Sequence, residues 1–122
     1  MGGINCFAIS PLDNNKYLSV GQDRKITFWD IRKSQAEGTL DSSPNPSESE
    51  ELFAIDFQST GKLFATGGQM GIVRIYEYQT GQFLTDCRAH SGAILSIKFS
   101  PDGKQIVSTG SDGLVAIWNV FI

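Results

Sequence analysis

Three stretches of this chain spell nearly the same message. INCFAISPLDNNKYLSVGQDRKITFWDIR fills residues 4–32, LFAIDFQSTGKLFATGGQMGIVRIYEYQTG residues 52–81, and AILSIKFSPDGKQIVSTGSDGLVAIWNV residues 93–120. The second and third copies register at an offset of 42 residues, matching Phe57 with Phe99, Gly61 with Gly103 and Gly71 with Gly113. The first copy lies about 48 residues before the second. A period of this size constrains the fold more than any single motif does. Each copy must be one supersecondary unit, and such a unit buries its faces only by stacking on its neighbours.

Every copy reads as short strands. Alternating runs open the units at 4–10, 52–58 and 93–100, and turn residues such as SPDGK follow. A second run (KYLSVG, KLFATGG, KQIVSTG) leads through a tight turn to a third (KITFWDI, GIVRIYEY, GLVAIWNV). Period-two alternation with β-branched and aromatic enrichment predicts strands, and no helical period competes with it. A fourth strand fits residues 82–88, QFLTDCR. Four-stranded units at this spacing predict an all-β chain, a partial β-propeller of three antiparallel blades. The blades are expected at about 3–34, 52–88 and 90–122, the last without its outer strand.

Composition narrows the function classes. With 122 residues, 40% of them apolar, the chain suits one globular unit. The stretch 35–51, QAEGTLDSSPNPSESEE, holds five of the 13 acidic residues and no base, leaving eight acids against ten bases elsewhere. No basic groove for nucleic acid follows from that balance, and no apolar run is long enough for a membrane helix. Nucleic acid and membrane are therefore not expected partners. Cys6 and Cys87 lie far apart within apolar runs and read as buried free thiols of a reducing compartment. The stretch 35–51 has a disordered composition and is expected as a surface insert between the first two blades. Its Ser42, Ser43, Ser47 and Ser49 are candidate regulatory positions, because phosphates would deepen the negative charge.

The dipeptide WD stands at Trp29–Asp30, WN at Trp118–Asn119 and YE at Tyr76–Glu77, each at the same place in its copy. With SPDGK and GSDG as punctuation, the chain resembles the WD-repeat (WD40) family over nearly its whole length outside 33–51. That resemblance implies a hydrogen-bonded structural tetrad of His90, Ser108, Asp112 and Trp118, with a partial one of Ser19, Asp23 and Trp29. The first repeat's His should fall at or before residue 1. The second repeat departs from the pattern, with Thr66, Met70 and Tyr76 in three of the positions and Glu48 near the His position. It is expected to be held by core packing alone.

His, Ser and Asp are also the composition of a hydrolytic triad, but a triad needs an exposed nucleophile beside an oxyanion site. Ser108 lies in mid-strand without a Gly-x-Ser-x-Gly elbow, so the set reads as scaffolding. No catalytic residue, metal ligand or cofactor is expected: the single His is engaged, and no phosphate-binding Gly-Lys-Ser/Thr loop is present.

Other proteins are the expected partners, through loops on the tetrad face. Gln22, Arg24, Gln69, Met70 and Ser91 are the candidate partner-facing residues. Further partners are the remaining blades of a larger propeller, of which this chain reads as the C-terminal part, or further copies of the chain itself. The wording of the repeats is also similar to large WD-repeat proteins of cilia, flagella and microtubules. That similarity implies an interaction scaffold in the cytoplasm, extending to the cytoskeleton or axoneme. The alternative is a regulatory or substrate-recruiting WD domain of a larger enzyme or ubiquitin-ligase complex.

Overall fold

A computed structural model describes residues 3–33 and 35–120. It contains three antiparallel sheets. The first runs β1 (Ile4–Ile9), β2 (Lys16–Gly21), β3 (Lys25–Asp30) and β4 (Gly38–Asp41). The second runs β5 (Leu52–Phe57), β6 (Leu63–Gly68), β7 (Ile72–Glu77) and β8 (Phe83–Arg88). The third holds β9 (Ile94–Phe99), β10 (Gln105–Gly110) and β11 (Val115–Asn119). Strand order follows chain order, and β1, β5 and β9 lie side by side as the innermost strands. The sheets are thus three blades of an open arc.

Turn chemistry fixes the blades locally. Gly71 and Gly113 take φ of 74° and 81° at the end of their blades' second tight turn, the left-handed region where glycine is unstrained. Arg24 occupies the same place in blade 1 with φ of 63°, a conformation that an L side chain rarely adopts. Each SPDGK-like turn is closed by a side-chain acceptor, as where Asp102 takes the Lys104 amide at 3.0 Å.

Packing between blades makes the core. Leu18, Val20 and Ile26 of blade 1 meet Ile55, Phe57, Phe64 and Tyr76 of blade 2. On its other side, blade 2 turns Ala54, Leu63, Ala65, Val73 and Ile75 to Ile94, Ile97 and Ile106 of blade 3. The cross-strand pair Phe64–Tyr76 stacks at 5.2 Å and is shut from solvent. Its equivalent in blade 1, Tyr17–Trp29, stacks at 6.2 Å but stays partly open, because none of the described sheets covers that face. Polar links cross the same seams. Asn5 Nδ2 donates to Glu51 Oε2 and to the Leu52 carbonyl, and Asp56 Oδ2 accepts the Phe99 amide at 2.8 Å.

Two expectations change. The stretch 35–51 is not a disordered insert: residues 38–41 form β4, the outer strand of blade 1, so that blade runs past residue 34. Thr27 pairs with Thr39 and Ile26 with Leu40, and Leu40 packs on the core shared with blade 2. Only one apolar side chain in that strand faces inward, which is why composition hid it. Cys6 and Cys87 are free, as read from the sequence, but half-buried. The expected His of the first repeat lies outside the described residues.

Candidate functional site

The tetrad positions converge at one end of the arc. His90 lies in the loop between β8 and β9, Ser108 in mid-β10 and Asp112 in the β10–β11 turn. His90 Nδ1 stands 3.1 Å from Asp112 Oδ1, and Nε2 stands 2.9 Å from Ser108 Oγ. A carboxylate only accepts, so Nδ1 carries a proton and, in the neutral ring, Nε2 accepts from the Ser108 hydroxyl. Asp112 also accepts the amides of Ser91 and Leu114, at 3.0 and 3.1 Å. Partial burial pushes its pKa upward. The Leu114 and Ser91 amides and the His90 ring outweigh that and hold it below the ordinary 3.8. Trp118 Nε1 is buried and finds no hydrogen-bond partner among the described residues.

Blade 1 shows the complementary part. Trp29 Nε1 donates to Ser19 Oγ at 2.8 Å, while Asp23 caps its own turn by accepting the Lys25 amide at 3.1 Å. Asp23 therefore stands apart from the Ser19–Trp29 pair.

Blade 2 is not held by core packing alone. Its polar anchor is an ion pair between Glu50 and Arg74, with Nη1 to Oε2 at 2.7 Å and both side chains 1% exposed. Glu50 Oε1 also accepts the Met70 amide at 2.8 Å, and the Glu50 amide donates to Ser42 Oγ at 2.7 Å. Tyr76 donates its hydroxyl to the Ser42 carbonyl at 3.3 Å, and burial pushes that hydroxyl's pKa up to about 12. Glu48, the residue nearest the His position in the sequence alignment, pairs instead with the exposed Arg88 at 2.9 Å. Thr66 pairs with Arg74 in register across β6 and β7, but its hydroxyl has no partner among the described residues. A charged residue inside the apolar run IVRIYE was the signal for this pair, since a buried Arg demands a carboxylate.

The four candidate regulatory serines differ in exposure. Ser42 and Ser43 are buried at the start of the loop, Ser49 is half-buried, and only Ser47 is exposed. Met70, by contrast, is 45% exposed on the turn that Glu50 grips from below. Gln22, Arg24, Gln69 and Ser91 are exposed at the same end. Gln22 Oε1 accepts the Gly3 amide and Gln69 Oε1 the Glu51 amide, so both amide side chains hold loops as well as facing out. Among the described residues no cluster of His, Cys, Asp and Glu could hold a metal, and no helix is long and apolar enough to cross a membrane.

Comparison with known proteins agrees with the geometry. The profile of the family "WD domain, G-beta repeat" matches residues 81–119. Cilia- and flagella-associated protein 52 of Chlamydomonas reinhardtii is 32% identical across 88% of this chain, and the WD repeat-containing protein 91 homolog of Dictyostelium discoideum is 33% identical across 95%. The chain spans 17% and 14% of those two relatives. The crystal structure of the RRP9 WD40 repeats superposes with a TM-score of 0.89 at 26% identity, over 98% of this chain and 36% of that one.

Glu50→Gln leaves Arg74 buried without a counter-charge and is expected to cost about 3–5 kcal/mol, whereas Glu50→Leu combined with Arg74→Met recovers most of that loss. Urea denaturation of the single and double variants checks it; equal losses in both contradict the pairing. For Asp112, a folded pKa below the unfolded one means its contribution is complete above the ordinary carboxylate range. That contribution is lost as pH falls through the folded value. Thermal unfolding of Asp112→Asn is therefore expected to show a shallower acid decline than the wild type, with the two curves closest at the lowest pH.

Proposed function

The chain belongs to the WD-repeat family, and from that premise we propose that it is a non-enzymatic interaction scaffold in a ciliary or microtubule-based assembly. The observation that carries this reading is the tetrad face itself. An exposed methionine stands on it, and the backbone beneath is fixed by a buried ion pair. A polarisable, unbranched side chain on a rigid turn is a good anchor for a protein surface. The polar groups that could do chemistry are spent on structure: His90, Ser108 and Asp112 bond one another, and Glu50 neutralises Arg74. WD-repeat propellers are in general non-enzymatic interaction domains, which supports the same reading. The ciliary assignment is supported by the names of the relatives.

The two end faces of the arc are the second part of the proposal. Phe7, Ile9 and Ile31 on blade 1, and Val115 and Ile117 on blade 3, are each more than half exposed. In blade 2 the positions equivalent to Phe7, Ile9, Val115 and Ile117 are Ile55, Phe57, Val73 and Ile75, all buried between sheets. These faces take further blades, and the chain acts as part of a larger ring.

Proximity labelling in ciliated cells, with the full-length protein carrying Met70→Asp or unaltered, tests the scaffold reading. The variant is expected to lose axonemal neighbours about tenfold, as removal of an interface anchor does, while its far-UV circular dichroism stays unchanged. An unchanged set of neighbours, or a set without axonemal proteins in the unaltered protein, contradicts it.

A further inference from the structure

The free face of blade 3 is not a copy of the face that blade 2 offers to blade 3, and the difference selects its neighbour. Across the seam between blades 2 and 3, Asp56 of β5 accepts the amide of Phe99 from β9 at 2.8 Å. The repeat places Lys98 where blade 2 has Asp56. Lys98 is exposed, lines the same inner wall as Asp56, and forms no ion pair among the described residues. Around it, Val107, Val115 and Ile117 offer the apolar surface that Ala65, Val73 and Ile75 offer in blade 2.

A second copy of the chain docking by the same geometry would bring blade 1 onto this face. Blade 1 matches Phe99 with Ile9, whose backbone N–H is a donor. Donor would then meet ammonium, and Lys98 has no acceptor to give the Ile9 N–H where Asp56 gives one to Phe99. We propose that the free face of blade 3 takes a blade that offers a carboxylate to Lys98, and so excludes a second copy of this chain. This rests on the reading that the end faces take further blades. The occupant is a WD-type sheet with Asp or Glu beside its innermost strand. Its apolar face continues the seam already built between blades 2 and 3, and its carboxylate pairs with the Lys98 ammonium. The arrangement gives a repeat protein an order of assembly, because like-charged or unpaired groups at a seam discriminate among otherwise similar faces.

Sedimentation velocity on the chain itself, as wild type, Lys98→Asp and Lys98→Glu, tests this. The wild type is expected to stay monomeric across a concentration series, while a carboxylate at 98 provides the acceptor that Ile9 N–H lacks. Such variants self-associate at least about tenfold more tightly, the effect of one charge-assisted hydrogen bond. The exposed position leaves the fold intact, which circular dichroism verifies, and the longer Glu arm serves if Asp disturbs β9. Wild type associating as tightly as the variants, or both variants staying monomeric, overturns the proposal and leaves the Met70 result untouched. In the full-length protein, carbodiimide cross-linking is expected to join Lys98 to an Asp or Glu of another blade. A Lys98 joined to residues 1–122 of a second copy overturns it equally.

Discussion

A four-stranded blade cannot cover its own two faces, and everything else in this molecule depends on that. Each sheet alternates its side chains, so the three inner strands of every blade put apolar groups on both sides. The stacked aromatic pair across the second and third strands shows the consequence. Phe64–Tyr76 is sealed because blade 1 lies over it, whereas Tyr17–Trp29, built the same way, stays half open. Burial of one such side chain contributes roughly 1.5–3 kcal/mol, so blade 2 draws stability from both neighbours and each outer blade from one.

Polar anchoring is the second layer, and this chain uses two solutions at one place in the fold. In blade 3 an imidazole joins a turn carboxylate to a strand hydroxyl. In blade 2 a carboxylate from the preceding loop reaches a guanidinium on the third strand and the amide of the turn. Both tie the incoming loop to the tight turn between the second and third strands. The turn's backbone has no freedom to spare there: a side chain at Gly71 would run into the carbonyl of His90. Fixing that end of the arc is what makes its exposed residues, Met70 foremost, a defined surface.

The strands and their order were legible because period-two alternation recurs three times, and each copy corroborates the others. The turn residues were legible for the same reason. What escaped were features with no repeat behind them. The strand GTLD carries one inward apolar side chain and sits in an acidic, Ser- and Pro-rich stretch, so composition outweighed pattern. Glu50 falls in the stretch whose composition reads as disordered; its partner lies 24 residues away, and burial of its charge is visible only once Arg74 is seen inside the sheet. Ser42 sits in that same polar stretch, yet it is a buried acceptor for the Glu50 amide. The tetrad residues stood in plain view, but which of them touch was not: Trp29 reaches Ser19, while Trp118 Nε1 reaches nothing among the described residues.

Hydrogen exchange read by mass spectrometry on the 122-residue chain tests the dependence of the fold on blade-to-blade cover most directly. Amides of β6 and β7, sheathed on both faces, are expected to exchange slowest, with β2 and β10 intermediate and β11 fast. Equal protection of the three sheets would mean that each blade is stable by itself, and would contradict the account.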